Sequence, residues 1–576
     1  MKQLFKFLDH NRKESLLAPL LKMLEALFDL LVPLIMADII NNGIANKDAG
    51  YILNRCLLMI LLGVVGLACS IVAQYFAAKA SVESCSRVRH DLFDKIQSLD
   101  FAQTDTSGES TLITRMTSDV NQVQNGLNLF LRLFMRSPFV VFGALILSFT
   151  ISAKGAMVFA VAIPMLAAVI FGIMLKTIPQ YEKVQTFLDR LTGITRENLT
   201  GVRVVRAFGR EQDETQRFQK SDGTLLNGQL SVGRISALMN PLTYVIINLA
   251  VVAILDRGAM EVNAGAITMG GVVALVNYMN QILLELVKLA NLIIQLTKAT
   301  ACAGRINKVL VMQPQMKFGK AKLDPANSEN AVEFTHVGLA YSASGAESLS
   351  DISFTAKKGQ TIGIIGGTGS GKTSLVSLIP HYYDATSGQI KIFGRDIDEY
   401  DKDNLRSGVS TVMQKAQLFS GTIRSNLKWG NAGADDAALW KALEAAQAAE
   451  IVRGKGEKLD EPVEQGGRNF SGGQKQRLSI ARSLLSNPKI LILDDSFSAL
   501  DYATEAALRK ALRTLPSDMT VFIVSQRVTS LSHADQILVL DEGKLVGIGT
   551  HEELLRSCRV YWDIYESQFR KAESAV

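Results

Sequence analysis

The sequence predicts a two-part chain: an α-helical six-span transmembrane domain with long intracellular helices, followed by an α/β P-loop domain. Three observations carry that reading. Apolar stretches begin near Leu16, Leu53, Leu131, Ala156, Leu238 and Gly271, and none begins after Thr300; a helix of about 20 apolar residues spans a bilayer. From Ala331 onward, strand-like runs alternate with helical ones, the pattern of an α/β domain. Within that second part, a β-branched run at Thr361–Ile365 leads directly into a glycine-rich loop and a helical stretch.

Composition agrees. With 576 residues, 48% hydrophobic and a mean hydropathy of +0.18, the chain is too long for one ordinary domain and too apolar for a purely soluble protein. The net charge of +6 is spread without a long basic run, which argues against a nucleic-acid surface. Cys56, Cys69, Cys85, Cys302 and Cys558 are scattered with no CxxC pair, so neither a disulfide framework nor a zinc site is implied. The basic start, MKQLFKFLDHNRKES, precedes a run carrying Lys22, Glu25 and Asp29 with no small-x-small cleavage signal, and is expected to be retained.

The segments expected outside, Asn41–Tyr51, Ser152–Gly155 and Gly258–Gly270, hold only Lys47 and Lys154 as basic residues. The inside segments hold Arg87, Arg89, Lys95, Arg115, Lys176, Lys183, Arg190, Arg203, Arg206 and Arg210. The positive-inside rule then places both termini in the cytoplasm. The inside loops, about Ala80–Phe130 and Thr177–Ile235, read as helices extended beyond the membrane. Polar residues recur at helical spacing along the sixth span (Asn277, Gln281, Glu285, Lys288, Asn291, Gln295, Lys298) and the first (Lys22, Glu25, Asp29). Charge facing lipid is costly, so these faces should line a wet pathway, or else Glu285 with Lys288 and Lys22 with Glu25 form neutralised packing pairs. Arg132 and Arg136 are expected to snorkel to the inner interface. The polar run Val309–Asn330, with two prolines, reads as a linker, giving boundaries at 1–308, 309–330 and 331–576.

The loop Gly366-Gly367-Thr368-Gly369-Ser370-Gly371-Lys372-Thr373 is the full P-loop pattern in its strand-to-helix context. Its glycines let backbone N–H groups turn inward around phosphate oxygens, Lys372 reaches the outer phosphates, and Thr373 offers a hydroxyl to Mg²⁺. Lys489–Asp495 (KILILDD) is an apolar strand ending in two carboxylates, with Asp494 placed to hold the magnesium shell. At Phe470-Ser471-Gly472-Gly473-Gln474 a Ser-Gly-Gly turn opens a helix and forms a second anion-binding N-terminus.

Walker A, FSGGQ and Walker B in this order resemble the ATP-binding cassette proteins, and the whole chain is similar to an exporter-type half-transporter of the cell (inner) membrane. The segment Glu197–Glu214 (ENLTGVRVVRAFGREQDE) strengthens the likeness in the membrane half. The resemblance implies ATP and Mg²⁺ as cofactors, coupling helices near Thr104–Ser110 and Phe208–Glu214, Tyr341 stacking on adenine, and Ser374 beside Thr373 at the nucleotide. It also implies Gln414 on Mg²⁺ with Thr373 and Asp494, Glu464 in a loop reaching a partner, Ser498–Asp501 as the D-loop, and Ser471, Gly472, Gly473 and Gln474 serving a nucleotide across a dimer.

Two positions depart from the family's catalytic pattern. Asp495 stands where the family has its general-base glutamate, which retracts the carboxylate by roughly one bond, whereas a base must lie within about 3 Å of its proton. Gln526 stands where the family has its switch histidine and cannot accept and return a proton. The signature stays intact, so the chain resembles the degenerate-site half of a heterodimeric exporter. Its partner would be a second half-transporter with an intact Walker B glutamate and switch histidine. The cargo implied is a small amphipathic molecule (drug, lipid or peptide) moved across the lipid bilayer, with no nucleic acid involved. A slow homodimer, an exporter-fold importer of metal chelates, and a non-transporting ATP-binding regulatory subunit fit the same motifs.

Overall fold

The structure, a computed structural model, describes residues 7–8, 11–341, 345–512 and 518–573. The chain divides into two compact units, Met1–Ser98 with Ser107–Met312, and Leu99–Thr106 with Gln313–Val576.

The first unit is helical throughout. Its six long helical stretches are Arg12–Asp38, Ala49–Ser98, Glu109–Ile151, Ala153–Thr200, Glu211–Asn263 and Met269–Leu310. The third is interrupted by a π-helical turn at Arg115–Asp119 and a break before Arg136. Ala49–Ser98 has 50 residues; at 1.5 Å per residue that is about 75 Å, more than twice the hydrocarbon thickness of roughly 30 Å, so much of it extends past any bilayer. Four stretches, the second to the fifth, are apolar enough to cross a membrane on composition alone. The first and sixth carry the charged stripes that lower their hydropathy. The outer connection between the third and fourth is tighter than expected: Ser152 alone is extended, and its hydroxyl accepts the Gly155 N–H at 2.9 Å, capping the fourth helix. At the outer ends of the first and sixth, a Cβ on Gly270 would stand 2.3 Å from the Ala37 carbonyl oxygen, and Asn41 accepts the Gly270 N–H at 2.9 Å. Only glycine allows that approach.

Arg136 corrects the snorkelling expectation. Its side chain is only 12% exposed and donates to Glu285 at 2.5 Å and Asp29 at 2.8 Å, with Glu25 at 4.0 Å. Lys22 pairs with Glu25 at 2.5 Å, Lys288 with Glu285 at 2.8 Å, and the Ser137 hydroxyl donates to Glu285 at 2.7 Å. The break before Arg136 turns its guanidinium inward, where three carboxylates are met by three cations across the first, third and sixth helices. Both pairs expected from the stripes are present, while Asn291 and Lys298 on the same face of the sixth helix are exposed.

The second unit holds two sheets and a short strand pair. In the antiparallel sheet β1 (Asn330–Leu339) lies between β2 (Leu349–Lys357) and β4 (Ser387–Ile392), with β5 (Arg395–Asp396) at the edge. The core sheet has the order β12–β11–β3–β10–β9–β6, where β3 is Thr361–Gly366, β6 Val409–Val412, β9 Ile490–Asp494, β10 Thr520–Val524, β11 Gln536–Asp541 and β12 Lys544–Gly549. All neighbours there are parallel except β11 with β12. The strands β9 and β10 are buried along their whole length, as a parallel sheet covered on both faces requires. The pair β7 (Gly421–Thr422) and β8 (Pro462–Val463) stands apart.

The loop piece Leu99–Thr106 belongs to this second unit, not to the helical one around it. Its Phe101 ring stacks on Tyr382 with centroids 4.5 Å apart, and the Asp100 carboxylate accepts the N–H groups of Gln315 and Met316 at 2.6 and 3.1 Å.

Removing Arg136 leaves the buried Glu285 short of a counter-charge, and breaking a buried pair in this way costs roughly 3–5 kcal/mol. Arg136→Met is expected to lower the unfolding temperature of the detergent-solubilised protein, and adding Glu285→Gln to restore part of the loss, as read by thermal melting.

Candidate functional site

Parallel strands carry their loops to one edge of the sheet, where ligands bind. β10 separates β3 from β9, with Val524 opposite both Ile364 and Asp494, so the P-loop leaving β3 and the carboxylates ending β9 stand one strand apart. The loop turns through left-handed backbone at Gly369 (φ +83°) and Gly371 (φ +94°), which residues with a Cβ rarely adopt. Lys372 begins the following helix, Lys372–Leu378. Its ammonium is buried and donates to the carbonyls of Gly366 at 3.0 Å and Gly367 at 2.6 Å and to Ser370 Oγ at 3.4 Å. Gly367, Thr368 and Gly369 are exposed on the outer side of the loop.

Thr373 Oγ1 donates to Asp494 Oδ1 at 3.2 Å, and Gln414 Nε2 to Asp495 Oδ2 at 3.2 Å. Burial raises the Asp494 carboxyl above the usual carboxylate range and lowers the Lys372 ammonium. These are groups held out of water that need an opposite charge. The hydroxyl and carboxylate oxygens of Thr373 and Asp494, already side by side, suit a hard cation such as Mg²⁺, and the loop with Lys372 suits a polyphosphate. Tyr341 stands at the same edge: its ring is 48% exposed, and its hydroxyl donates to Ser374 Oγ at 2.9 Å. The residues present therefore fit ATP with Mg²⁺.

Comparison with known proteins agrees. Residues 15–286 match the model of the ABC transporter transmembrane region, and residues 349–498 that of the ABC transporter domain. An ABC transporter ATP-binding protein of Bacillus subtilis (strain 168), itself uncharacterised, is 36% identical over 558 residues, covering 97% of each chain. The chain belongs to the ABC transporters. A fatty acid ABC transporter ATP-binding/permease protein of Mycobacterium bovis is 31% identical over 478 residues, 83% of this chain and 75% of that one. A bacterial Atm1-family ABC exporter solved with ATP bound shares the fold, with a TM-score of 0.80 over 97% of this chain and 98% of that one at 22% identity. This ABC transporter is thus a multi-pass membrane protein of exporter fold with a cytoplasmic ATP-binding domain.

Asp495 and Gln526 follow the neighbouring strands β9 and β10. Asp495 follows β9 with left-handed backbone (φ 46°), its N–H donating to the Val524 carbonyl at 3.1 Å. Gln526 is exposed just past β10, and its carbonyl accepts from Gln568 Nε2 at 2.7 Å. Ser471 caps the 14-residue helix Gly472–Leu485 through a reciprocal box with Gln474, at 3.3 and 3.0 Å. Phe470 anchors that turn in the core while Ser471 and Gly472 remain exposed. Among the described residues, no hydrogen bond joins Ser471, Gly472, Gly473 or Gln474 to Lys372, Thr373 or Asp494. Walker A, Asp494, Asp495, Gln414 and Tyr341 come together within one domain, and the signature is displayed apart. Glu464 is exposed, its N–H donating to Asn469 Oδ1 at 3.1 Å. Sequence reasoning missed Tyr383, whose hydroxyl donates to Asp105 across 278 positions; Asp105 falls within the expected coupling helix Thr104–Ser110, whereas Tyr383 belongs to no motif and no local signal marks it.

A carboxyl whose pKa is raised by folding stabilises the fold at low pH and loses that contribution as pH rises through its folded value. The ionised form of Asp494 is therefore the one that destabilises the nucleotide-free protein. Asp494→Asn is expected to unfold at a higher temperature than the unaltered chain without nucleotide and to lose the upward shift given by ATP with Mg²⁺, both read in one melting series at pH 7.5.

Proposed function

We propose that this chain is the degenerate-site subunit of a heterodimeric ABC exporter of amphipathic organic molecules, binding ATP at its own Walker site while lending its signature to a catalytic site on its partner. The observation that carries the reading is an asymmetry within one domain. The phosphate-binding and metal-binding groups and the capped signature helix are complete, whereas the two groups that move a proton are not. Asp495 reaches one bond less far than a glutamate, and its Oδ2 is engaged by Gln414. Gln526 supplies no imidazole, and His533, the nearest histidine in sequence, lies seven residues on and is exposed.

In this reading Lys372 and the loop amides hold the phosphates and Tyr341 the base. Mg²⁺, on Thr373, Asp494 and Gln414, supplies charge neutralisation at the outer phosphates. Ser471–Gln474 offers its N-terminal N–H groups to the partner's nucleotide. ATP favours the closed pair of nucleotide domains because the full set of contacts exists only there, and a ligand shifts an equilibrium through such differential affinity. Closure opens the membrane cavity outward, and hydrolysis at the partner's site resets it. The relative named for fatty acids and the partly exposed charged face of the first and sixth helices support an amphipathic cargo.

The test is ATP binding and Mg²⁺-dependent turnover of the chain purified alone in nanodiscs, beside an Asp495→Glu/Gln526→His version. Tight binding with negligible turnover is expected. The double substitution is expected to raise turnover on the order of 10²-fold, the usual cost of a misplacement near 1 Å. Brisk turnover by the unaltered chain would show that Asp495 suffices as base and overturn the reading.

A further inference from the structure

Gln526 is held through its backbone, and the residue that holds it lies outside every nucleotide motif. β10 ends at Val524, opposite Asp494 and Ile364, and the Ser525 N–H donates to the Ile364 carbonyl at 3.1 Å. The chain then leaves the sheet between the strand that enters the P-loop and the strand that ends in Asp494 and Asp495. It turns there into the short helix Val528–Leu531, whose first N–H groups have no partner within the helix. The preceding residue, Arg527, provides no side-chain cap. Gln568 supplies what is missing. Its Oε1 accepts the Val528 N–H at 3.0 Å, and its Nε2 donates to the Gln526 carbonyl at 2.7 Å. One side-chain amide thus fixes the backbone on both sides of Arg527.

Gln568 comes from the helix Arg559–Glu573, on the face that packs against the domain. Tyr561, Ile564, Tyr565 and Gln568 fall at i, i+3, i+4 and i+7, one side of a helix. Tyr561 is fully buried, and Ile564 and Tyr565 pack against the core. The Tyr561 hydroxyl meets His551 Nδ1 at 2.7 Å. A half-buried amide at the end of such a stripe needs partners for both its ends, and the turn after β10 provides them. From its other side the turn is tied to the helix Tyr502–Leu512, where Arg527 donates to Glu505 at 3.3 Å and the Ser530 hydroxyl donates to the same buried carboxylate at 2.5 Å. The backbone is therefore fixed from two directions. The Gln526 side chain is exposed and, among the described residues, makes no hydrogen bond.

We propose that Gln568 is a positioning residue for Gln526: it fixes the turn so that the Gln526 amide faces the terminal phosphate of ATP, which makes the C-terminal helix part of how this site tells ATP from ADP. The proposal rests on ATP binding at the Walker site. A glutamine amide cannot accept and return a proton, but it carries two N–H donors, and a bond from one of them to a phosphate oxygen is charge-assisted. With the turn unheld, Gln526 has to be ordered when the nucleotide binds, at a cost in conformational entropy. ADP lacks the phosphate in question, so its affinity does not depend on where the amide stands.

The experiment measures the affinity of the full chain in nanodiscs, with Mg²⁺, for a non-hydrolysable imido analogue of ATP and for ADP, by competition against a fluorescent nucleotide. The variants are Gln568→Met, which keeps the length of the side chain and removes both hydrogen bonds, Gln526→Ala, and the two combined. Gln526→Ala is expected to weaken the triphosphate roughly tenfold, the scale of one hydrogen bond to a charged group, and Gln568→Met roughly three- to tenfold. The combination is expected to lose no more than Gln526→Ala alone, and ADP affinity to stay unchanged throughout. Gln568→Glu keeps the acceptor for the Val528 N–H and loses only the donor; it is expected to fall between the unaltered chain and Gln568→Met, and it reads the same ratio where the methionine variant fails to fold. An equal loss for ADP, additive losses, or a lowered melting temperature with both affinities intact would reduce Gln568 to a structural contact and overturn the proposal. An unchanged ratio of the two affinities in Gln526→Ala would overturn it as well. Failure of the unaltered chain to bind either nucleotide would instead overturn the ATP reading on which the proposal stands.

Discussion

The buried ammonium of Lys372 is the constraint around which the cytoplasmic domain is arranged. A cation out of water needs oxygen partners, and with no carboxylate among the described residues in direct contact it takes them from the turn of its own loop, at Gly366, Gly367 and Ser370. That turn exists because Gly369 and Gly371 accept left-handed backbone. It sits at a sheet edge because β3 is sealed between β10 and β11. Placing β9 one strand further along brings Asp494 to Thr373 without bringing it onto Lys372, so the site keeps a positive and a negative pole held a short distance apart. A magnesium-bound polyphosphate answers both.

The membrane unit solves the same problem with its own side chains. Three carboxylates and three cations from the first, third and sixth helices are gathered on Arg136, and the network spans helices that short loops could not otherwise hold in register. Its inner members, Glu285, Lys22 and Arg136, are nearly dry, whereas the side chains of Asp29 and Lys288 are 49% and 47% exposed. The charges therefore do two things at once: the buried ones fix packing, and the outer two present a mixed face to whatever occupies the space beside them.

Much of this was legible in the sequence wherever chemistry and periodicity coincide. The P-loop could be read because glycine spacing, a β-branched strand and a following helix are all local. The starts near Leu16, Leu53, Ala156 and Gly271 lie within a few residues of the helix starts at Arg12, Ala49, Ala153 and Met269 because apolar length follows from bilayer thickness. The third and fifth stretches begin earlier, at Glu109 and Glu211, in polar segments that apolar length does not mark. Arg136 was misjudged because its fate is set by a helix break at Phe134–Met135 and by partners on two other helices, none of which leaves a mark within its own segment. Tyr383 went unseen for the same reason. The turn after the Walker A helix looks like any exposed loop until the Phe101–Ser107 helix, almost 300 positions upstream, is laid against it. The left-handed backbone at Asp495 is a further case: aspartate tolerates that conformation better than most residues, so the residue fits its backbone, which a motif comparison reports only as a substitution.

The division of labour between two nucleotide sites is tested most directly by locating the nucleotide trapped after hydrolysis in the complex as purified from membranes. A photoreactive ATP analogue with vanadate, followed by identification of the labelled chain, separates the sites without relying on net turnover. If Asp495 and Gln526 leave this chain's site unable to complete hydrolysis, the trapped label falls on the partner, and this chain is labelled only when the analogue is added without turnover. Equal trapping on this chain, or trapping in a complex made only of its copies, would contradict the assignment.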